Sequence, residues 1–93
     1  MKAWSASKRV SLFGMDELVR REWFNSAIAK VDEHLAQGEA QIRAQRERIA
    51  ALERLGTDTA DAQDFLAILE ECQRAHEVHR RHLVRERGQA GPK

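Results

Sequence analysis

The stretch LGTDTADA, residues 55–62, interrupts a chain of helix-forming residues and decides the fold. Gly56 is placed to end a first helix in the left-handed conformation that glycine tolerates best. Thr57, Asp58 and Thr59 are each suited to start a second helix as its N-cap, and we favour Asp58. We therefore predict a helical hairpin, in which a short turn folds two helices back on each other antiparallel.

The two predicted helices, about 26–55 and 59–86, each carry a heptad repeat, which is the pattern of a coiled-coil-like seam. In the first helix the seam residues are Ile28, Val31, Leu35, Gly38, Ile42, Ile49 and Leu52. In the second helix they are Phe65, Leu69, Cys72, His76, His79 and Leu83. The predicted fold class is all-α, a coiled-coil-like antiparallel hairpin.

The charges of the two helices support the antiparallel arrangement. In each helix acidic residues come early and arginines come late, so the acidic half of one helix meets the basic half of the other. The ion pairs that we expect across the seam are Arg46 with Glu70 and Arg43 with Glu71. Each helix also has its acids and bases at the ends that its dipole favours.

The register follows from the position of the turn. With a turn centred near 57–58, Gly38 faces the stretch from His76 to His79. A residue without a side chain then leaves room for two imidazole rings in a close-packed seam.

Residues 30–85 carry a recognisable pattern, H-x3-GE-x2-I followed by G-x-DT-x2-A and a Leu-rich helix. The matching residues are His34, Gly38, Glu39, Ile42, Gln45, Ile49, Gly56, Asp58, Thr59, Ala62, His76 and Leu83. This pattern resembles a group of small, uncharacterised helical-hairpin proteins of rhizobia and other alphaproteobacteria. The resemblance implies a hairpin and a bacterial, cytoplasmic setting, and it implies no activity. It does not extend to Cys72 or to the first 25 residues, and it favours a structural role for His76.

Cys72, His76 and His79 are the residues whose spacing on one helix suits metal ligation. A ligand seven residues further on lies about 10.5 Å along the helix, which stretches a single metal site. We interpret the three as polar seam residues and keep a Cys/His metal binder as an alternative. Because a coiled seam offers neither a cleft nor oxyanion donors, we expect no enzyme, no catalytic residue and no cofactor.

The overall composition limits the classes of partner that we expect for this protein. The 16 Lys and Arg against 15 Asp and Glu give a net charge of +1, where a dedicated nucleic-acid binder usually has a basic excess. This balance argues against nucleic acid as a partner, but a small nucleic-acid-associated regulator with arginine-rich helix faces remains the first alternative function, ahead of the metal binder. A single cysteine suits a reducing cytoplasm, and we see neither a signal peptide nor a membrane span.

The first 25 residues form a predicted N-terminal arm, partly helical, which holds four of the five aromatic residues. We expect a flexible tail at 88–93. Aromatic side chains dominate interfaces, so we predict that the arm contacts a second chain. Its contact residues are Met15, Leu18, Val19, Trp23 and Phe24. Because two helices cannot enclose a core, we expect a homodimeric four-helix bundle that serves as a non-catalytic protein–protein interaction or assembly module.

Overall fold

The computed structural model describes residues 16–89, and these form two helices. Helix α1 is Glu17–Arg54 and helix α2 is Ala60–Gly88, and the two pack against each other antiparallel. The predicted hairpin is thus confirmed. At 1.5 Å per residue the 38 residues of α1 extend over about 57 Å. Residues 1–15 and 90–93, which include Met15 and most of the predicted tail, lie outside the described part.

The turn ends α1 as its sequence predicts, but the N-cap of α2 is Thr59 and not the favoured Asp58. Gly56 has a φ of 73°, in the left-handed region. The Thr57 amide donates to the carbonyl of Leu52 at 3.0 Å, and the Gly56 amide donates to the carbonyl of Glu53 at 3.0 Å. This pair of hydrogen bonds is the Schellman motif, which satisfies the last carbonyls of α1. Asp58 Oδ1 in turn accepts a hydrogen bond from the Ala60 amide at 3.1 Å, which helps to start α2.

Helix α1 runs without interruption from Glu17, so it begins about nine residues before the predicted start near residue 26. The physical reason is that α2 continues to Gly88 and gives the early turns of α1 a partner. Arg87 Nη1 donates to Asn25 Oδ1 at 2.7 Å, and Arg20 Nη2 donates to the carbonyl of Glu86 at 2.6 Å. Residues 17–25 therefore belong to the hairpin itself.

The core is a single row of side chains between the helices. Its largest cluster lies at the open end, where Phe24, Ile28 and Val31 of α1 pack on Leu83 of α2. The row continues toward the turn through buried Ile42, Gln45 and Ile49. All seven seam residues predicted for α1 are buried or partly buried: Ile28, Val31, Leu35, Gly38, Ile42, Ile49 and Leu52. The sequence pattern therefore locates the inner face of α1 correctly.

The seam predicted for α2 is rotated from the observed one by about 50°, at 100° per residue. Phe65, Cys72 and His79 are exposed, while Leu69, His76 and Leu83 do lie in the interface. The residues that are buried or partly buried at the observed seam positions are Ala62, Leu66, Leu69, Gln73, His76, Arg80, Leu83 and Arg87. This set keeps the heptad spacing but includes three long polar side chains.

Hydrogen bonds to the backbone of the other helix explain the rotation. Gln73 Nε2 donates to the carbonyl of Leu35 at 2.9 Å, and Gln45 Nε2 donates to the carbonyl of Ala62 at 3.0 Å. A buried amide without a partner costs about 1–3 kcal/mol. These amides therefore direct α2 to present Gln73 and Ala62 to α1, which a count of apolar residues does not reveal.

The register also differs from the prediction, by about one helical turn. Gly38 faces Gln73 and not the stretch from His76 to His79. His76 instead meets His34, with the two ring centroids 5.2 Å apart and the ring planes 36° from parallel. The offset brings the last turns of α2 beside the first turns of α1, which is why residues 17–25 find a partner within the chain.

Candidate interaction surface

The two sides of the hairpin differ in chemistry. On one side, which we call the polar side, the helices are joined by ion pairs. Arg80 Nε donates to Asp32 Oδ1 at 2.6 Å, and Arg46 Nη2 lies 2.9 Å from Glu70 Oε2. The hydrogen bond and the charge of Asp32 raise the pKa of Arg80 above its ordinary value. The bond between Arg87 and Asn25 belongs to the same side.

The polar side confirms one of the two expected ion pairs. Arg46 pairs with Glu70 as predicted. Arg43 does not reach Glu71, which instead pairs with Arg74 one turn further along α2 at 2.6 Å. The polar side also carries an open groove lined mainly by charged residues, namely Glu39, Ile42, Arg43, Arg46, Glu47, Ala50, Gln73 and Glu77.

The opposite side, the apolar side, exposes the hydrophobic residues that the rotated seam leaves out. Phe65 is 50% exposed and Ile68 is 57% exposed. They begin a stripe on α2 whose members are spaced alternately by three and four residues. This outer stripe consists of Phe65, Ile68, Cys72, Ala75 and His79, all exposed. Its apolar half lies nearer the turn and its imidazole lies nearer the open end.

A second groove opens beside the outer stripe. It is lined by Gln45, Arg48, Leu52, Asp58, Asp61, Ala62 and Phe65. Phe65 thus forms one wall and Leu52 contributes to the other. The groove carries apolar surface that the two helices of one chain leave uncovered, because two helices pack along one line only.

The contact residues predicted for the arm divide between the core and the surface. Phe24 is 9% exposed and Trp23 is 51% exposed, although they are neighbours in the chain. The prediction that Phe24 contacts a second chain is corrected by its burial against Ile28, Val31 and Leu83. The Trp23 ring meets the Phe24 ring edge to face, with centroids 4.9 Å apart, and remains available on the apolar side.

Leu18 and Val19 are also exposed. Leu18 lies seven residues before Asn25 and fourteen before Asp32, so it shares their stripe on the polar side. Trp23 lies on the other flank of the α1 seam. The apolar residues of the former arm therefore do not form one continuous contact face, because the helix rotation separates Leu18 from Trp23.

The residues proposed for a metal site do not converge. Cys72 and His79 are exposed on the outer stripe, whereas His76 turns into the seam toward His34. Within residues 16–89 no group of three or more His, Cys, Asp or Glu side chains could hold a metal ion. The spacing of His34 in the sequence does not reveal its contact with His76, which depends on the observed register.

Ile68, which the predicted α2 seam left out, could have been found from the breadth of the apolar arc on α2. Phe65, Leu66, Ile68 and Leu69 occupy more than one third of the circumference of α2, at 100° per residue. A seam facing one helix needs a narrower stripe. The breadth of the apolar arc is the signal that part of it lies outside the seam and stays exposed.

Comparisons with known proteins add no relative. The chain matches no protein family, no curated protein and no solved structure. Neither helix in residues 16–89 is long and apolar enough to cross a membrane. Any assignment of function therefore depends on the surface of the hairpin.

Proposed function

We propose that this protein is a non-catalytic interaction module that assembles with other protein chains, first of all with a second copy of itself. The observation that supports the proposal is the one-sided distribution of Phe65, Ile68 and Trp23. All three are half-exposed on the apolar side, while the ion pairs between the helices occupy the polar side. Phe65 and Ile68 lie one turn apart on α2, and an exposed apolar patch of this kind is typical of protein–protein contacts.

The energetics of a two-helix fold support self-association. The core of one hairpin is a single row, in which no large side chain among residues 16–89 is fully buried. A second hairpin placed on the apolar side covers that row and forms a four-helix bundle, the usual way for such helices to bury both flanks of their seams. The homodimeric bundle is therefore the assembly that we propose.

The two alternatives receive less support. Several arginines of the helix faces already bind acidic or amide side chains, as Arg46, Arg80 and Arg87 do, which reduces the charge that they offer to phosphates. The metal-binding alternative lacks a suitable arrangement of ligands, since Cys72 and His79 do not converge with His76. Neither alternative is favoured by an observation of its own.

We likewise propose a cellular setting and a kinship for this protein. An exposed free thiol at Cys72 is compatible with the reducing cytoplasm in which we place the protein. The proposed kinship with alphaproteobacterial hairpin proteins rests on the pattern around Gly38 and Gly56. Both glycines have a structural task here, one beneath Gln73 and one in the turn.

Sedimentation equilibrium of the full chain at micromolar concentrations tests the proposal. We expect a dimer for the parent protein and a shift to monomer for Ile68→Lys. If each copy loses about 1.4 kcal/mol of contact free energy, the dissociation constant rises about 100-fold. The lysine is compatible with α2 itself, because Asp64 and Glu71 lie one turn away on either side.

Leu18→Lys is the matched control for this experiment. Leu18 is 63% exposed, similar to Ile68, but it lies on the polar side. We expect the Leu18→Lys variant to remain dimeric, and circular dichroism should show both variants to be helical. A parent protein that sediments as a monomer, or a control that dissociates like Ile68→Lys, would contradict the proposal.

A further inference from the structure

We infer that α2 has two packings on α1, which differ by a rotation of about 50° around the axis of α2, and that the amides of Gln45 and Gln73 hold it in the observed one. The second packing turns Phe65 into the seam and Gln73 out of it. The rotation of α2 thus controls how much of the apolar side is exposed. This inference concerns a single hairpin and does not depend on self-association.

Two overlapping heptad stripes on α2 provide the first support. The second stripe lies on the apolar flank of the observed seam and is the one that the spacing of apolar residues predicts: Phe65, Leu69, Cys72, His76, His79 and Leu83. Both stripes contain Leu69, His76 and Leu83, so these three residues stay in the interface in either packing. The rotation brings in Phe65, Cys72 and His79 and turns out Leu66, Gln73, Arg80 and Arg87.

The second stripe is the more apolar of the two. It contains none of the three long polar side chains of the observed seam, Gln73, Arg80 and Arg87. It also turns Phe65 toward α1, and Phe65 is 50% exposed in the observed packing. An aromatic ring buries a large area, and the removal of apolar area from water is the dominant favourable contribution to folding. The second packing therefore competes with the observed one.

Helix α1 is suited to receive either stripe. Its inner face is a row of apolar residues from Ile28 to Leu52, and a rotation of α2 alone leaves this row in place. Within residues 16–89 no large side chain is fully buried, so interlocking shapes do not fix the angle of α2 by themselves. Residues 55–59 connect the two helices and include the left-handed Gly56, and a short connection of this kind absorbs a rotation of one helix.

Two hydrogen bonds exist only in the observed packing. Gln73 Nε2 reaches the carbonyl of Leu35 at 2.9 Å, and Gln45 Nε2 reaches the carbonyl of Ala62 at 3.0 Å. A rotation of α2 by about 50° moves Gln73 away from Gly38 and turns the backbone at Ala62 relative to Gln45. Both bonds are then lost. Because these amides are buried or partly buried, their bonds decide between the two packings.

The ion pairs of the polar side act in the same direction but more weakly. Arg80 with Asp32 and Arg46 with Glu70 join the helices on the flank that the rotation would open. All four side chains are at least one third exposed, and ion pairs in such positions contribute little to stability. The two glutamines are therefore the residues to change in a test.

Thiol labelling of Cys72 with a maleimide dye distinguishes the two packings. Cys72 is exposed in the observed packing and lies in the seam in the second one. The test variant carries Gln45→Leu with Gln73→Ala, which removes both bonds and leaves a gap above Gly38 in the observed packing. We expect its Cys72 to react at least about tenfold more slowly than in the parent protein, as for a thiol transferred from solvent to an interface. Nanomolar protein concentrations keep the hairpins separate during labelling.

Two controls accompany this measurement. Arg81→Cys in a Cys72→Ser background places a thiol on the side of α2 that is exposed in both packings, so its labelling rate should not respond to the glutamine substitutions. Gln63→Ala changes an exposed glutamine of α2 and should leave the labelling rate of Cys72 unchanged. Unchanged labelling of Cys72 in the test variant would overturn the inference. Faster labelling would indicate a loosened interface and would overturn it as well.

A second variant carries Gln45→Leu with Gln73→Glu. Glutamate has nearly the shape of glutamine but cannot donate to the carbonyl of Leu35, and its charge favours a position in solvent. We expect Cys72 to react at least as slowly as in the first variant, with the helical circular dichroism retained. If both variants lose their helical signal, α2 has no second packing and the inference is wrong.

Discussion

Gln73 occupies the space above Gly38 and uses it to reach the backbone of α1. Its Nε2 donates to the carbonyl of Leu35 at 2.9 Å, and its Oε1 lies where a side chain at position 38 would begin. The missing side chain at Gly38 thus makes room for the hydrogen-bonded amide of Gln73 and not for two imidazole rings. A close approach of this kind requires the absence of a Cβ atom on one helix.

This relationship predicts an unusual response to Gly38→Ala. In a helix interior this change normally adds about 0.5–1 kcal/mol of stability. Here it displaces Gln73 and removes a hydrogen bond that contributes about 0.5–1.5 kcal/mol. We expect the variant to be no more stable than the parent, and up to about 1 kcal/mol less stable, in urea unfolding.

The control is the same change in a Gln73→Ala background. With the amide absent, Gly38→Ala should stabilise the protein by about 0.5–1 kcal/mol. The two substitutions form a double-mutant cycle whose coupling measures the packing of Gln73 over Gly38. Equal effects of Gly38→Ala in both backgrounds would contradict the proposed contact.

The geometry of the turn predicts that replacing Gly56 and replacing Gly88 have different effects on stability. Gly56→Ala forces a side chain into the left-handed region, at a cost of about 1–2 kcal/mol. Gly88 ends α2 with a helical backbone, and a Cβ atom there meets nothing within 4 Å. Gly88→Ala should therefore leave the midpoint of urea unfolding unchanged or slightly raised. A similar loss of stability in both variants would argue against the turn geometry.

The different burial of two adjacent aromatic residues leads to a prediction about the stability of the core at the open end. Phe24 is buried among Ile28, Val31 and Leu83, so Phe24→Ala should cost about 3 kcal/mol. Trp23 is half-exposed and meets Phe24 in a T-shaped pair, so Trp23→Ala should cost less than about 1.5 kcal/mol. Thermal unfolding at one fixed protein concentration compares the two. A larger loss of stability in Trp23→Ala than in Phe24→Ala would indicate that residues 17–25 lie outside the core.

The buried amide of Gln45 leads to a prediction about the stability of the seam. It is buried, and it donates to the carbonyl of Ala62 at 3.0 Å. Gln45→Ala should therefore reduce the free energy of unfolding by about 1–2 kcal/mol, through the lost hydrogen bond and the lost packing. Gln41→Ala, at an exposed position one turn earlier in α1, is the matched control and should change it by less than about 0.5 kcal/mol. Equal effects at both positions would mean that the bond to Ala62 contributes nothing.

The hairpin and the inner face of α1 follow from short-range sequence features. The turn is local, since Gly56 and Asp58 act through hydrogen bonds to residues within a few positions of themselves. The α1 seam is strongly apolar and regularly spaced, from Ile28 to Leu52, so the heptad pattern alone identifies it. The ion pair of Arg46 with Glu70 follows from the same antiparallel charge pattern.

The rotation and the register of α2 depend instead on contacts between the two helices. Two amide side chains, Gln45 and Gln73, bind carbonyl oxygens of the opposite helix, and such partners cannot be read from the spacing of apolar residues. Their bonds move Phe65 to the surface and place His76 beside His34. The candidate interaction surface depends on that rotation, because a few tens of degrees about a helix axis exchange a seam residue for an exposed one. A buried polar group must find its partner, and that requirement outweighed the apolar pattern.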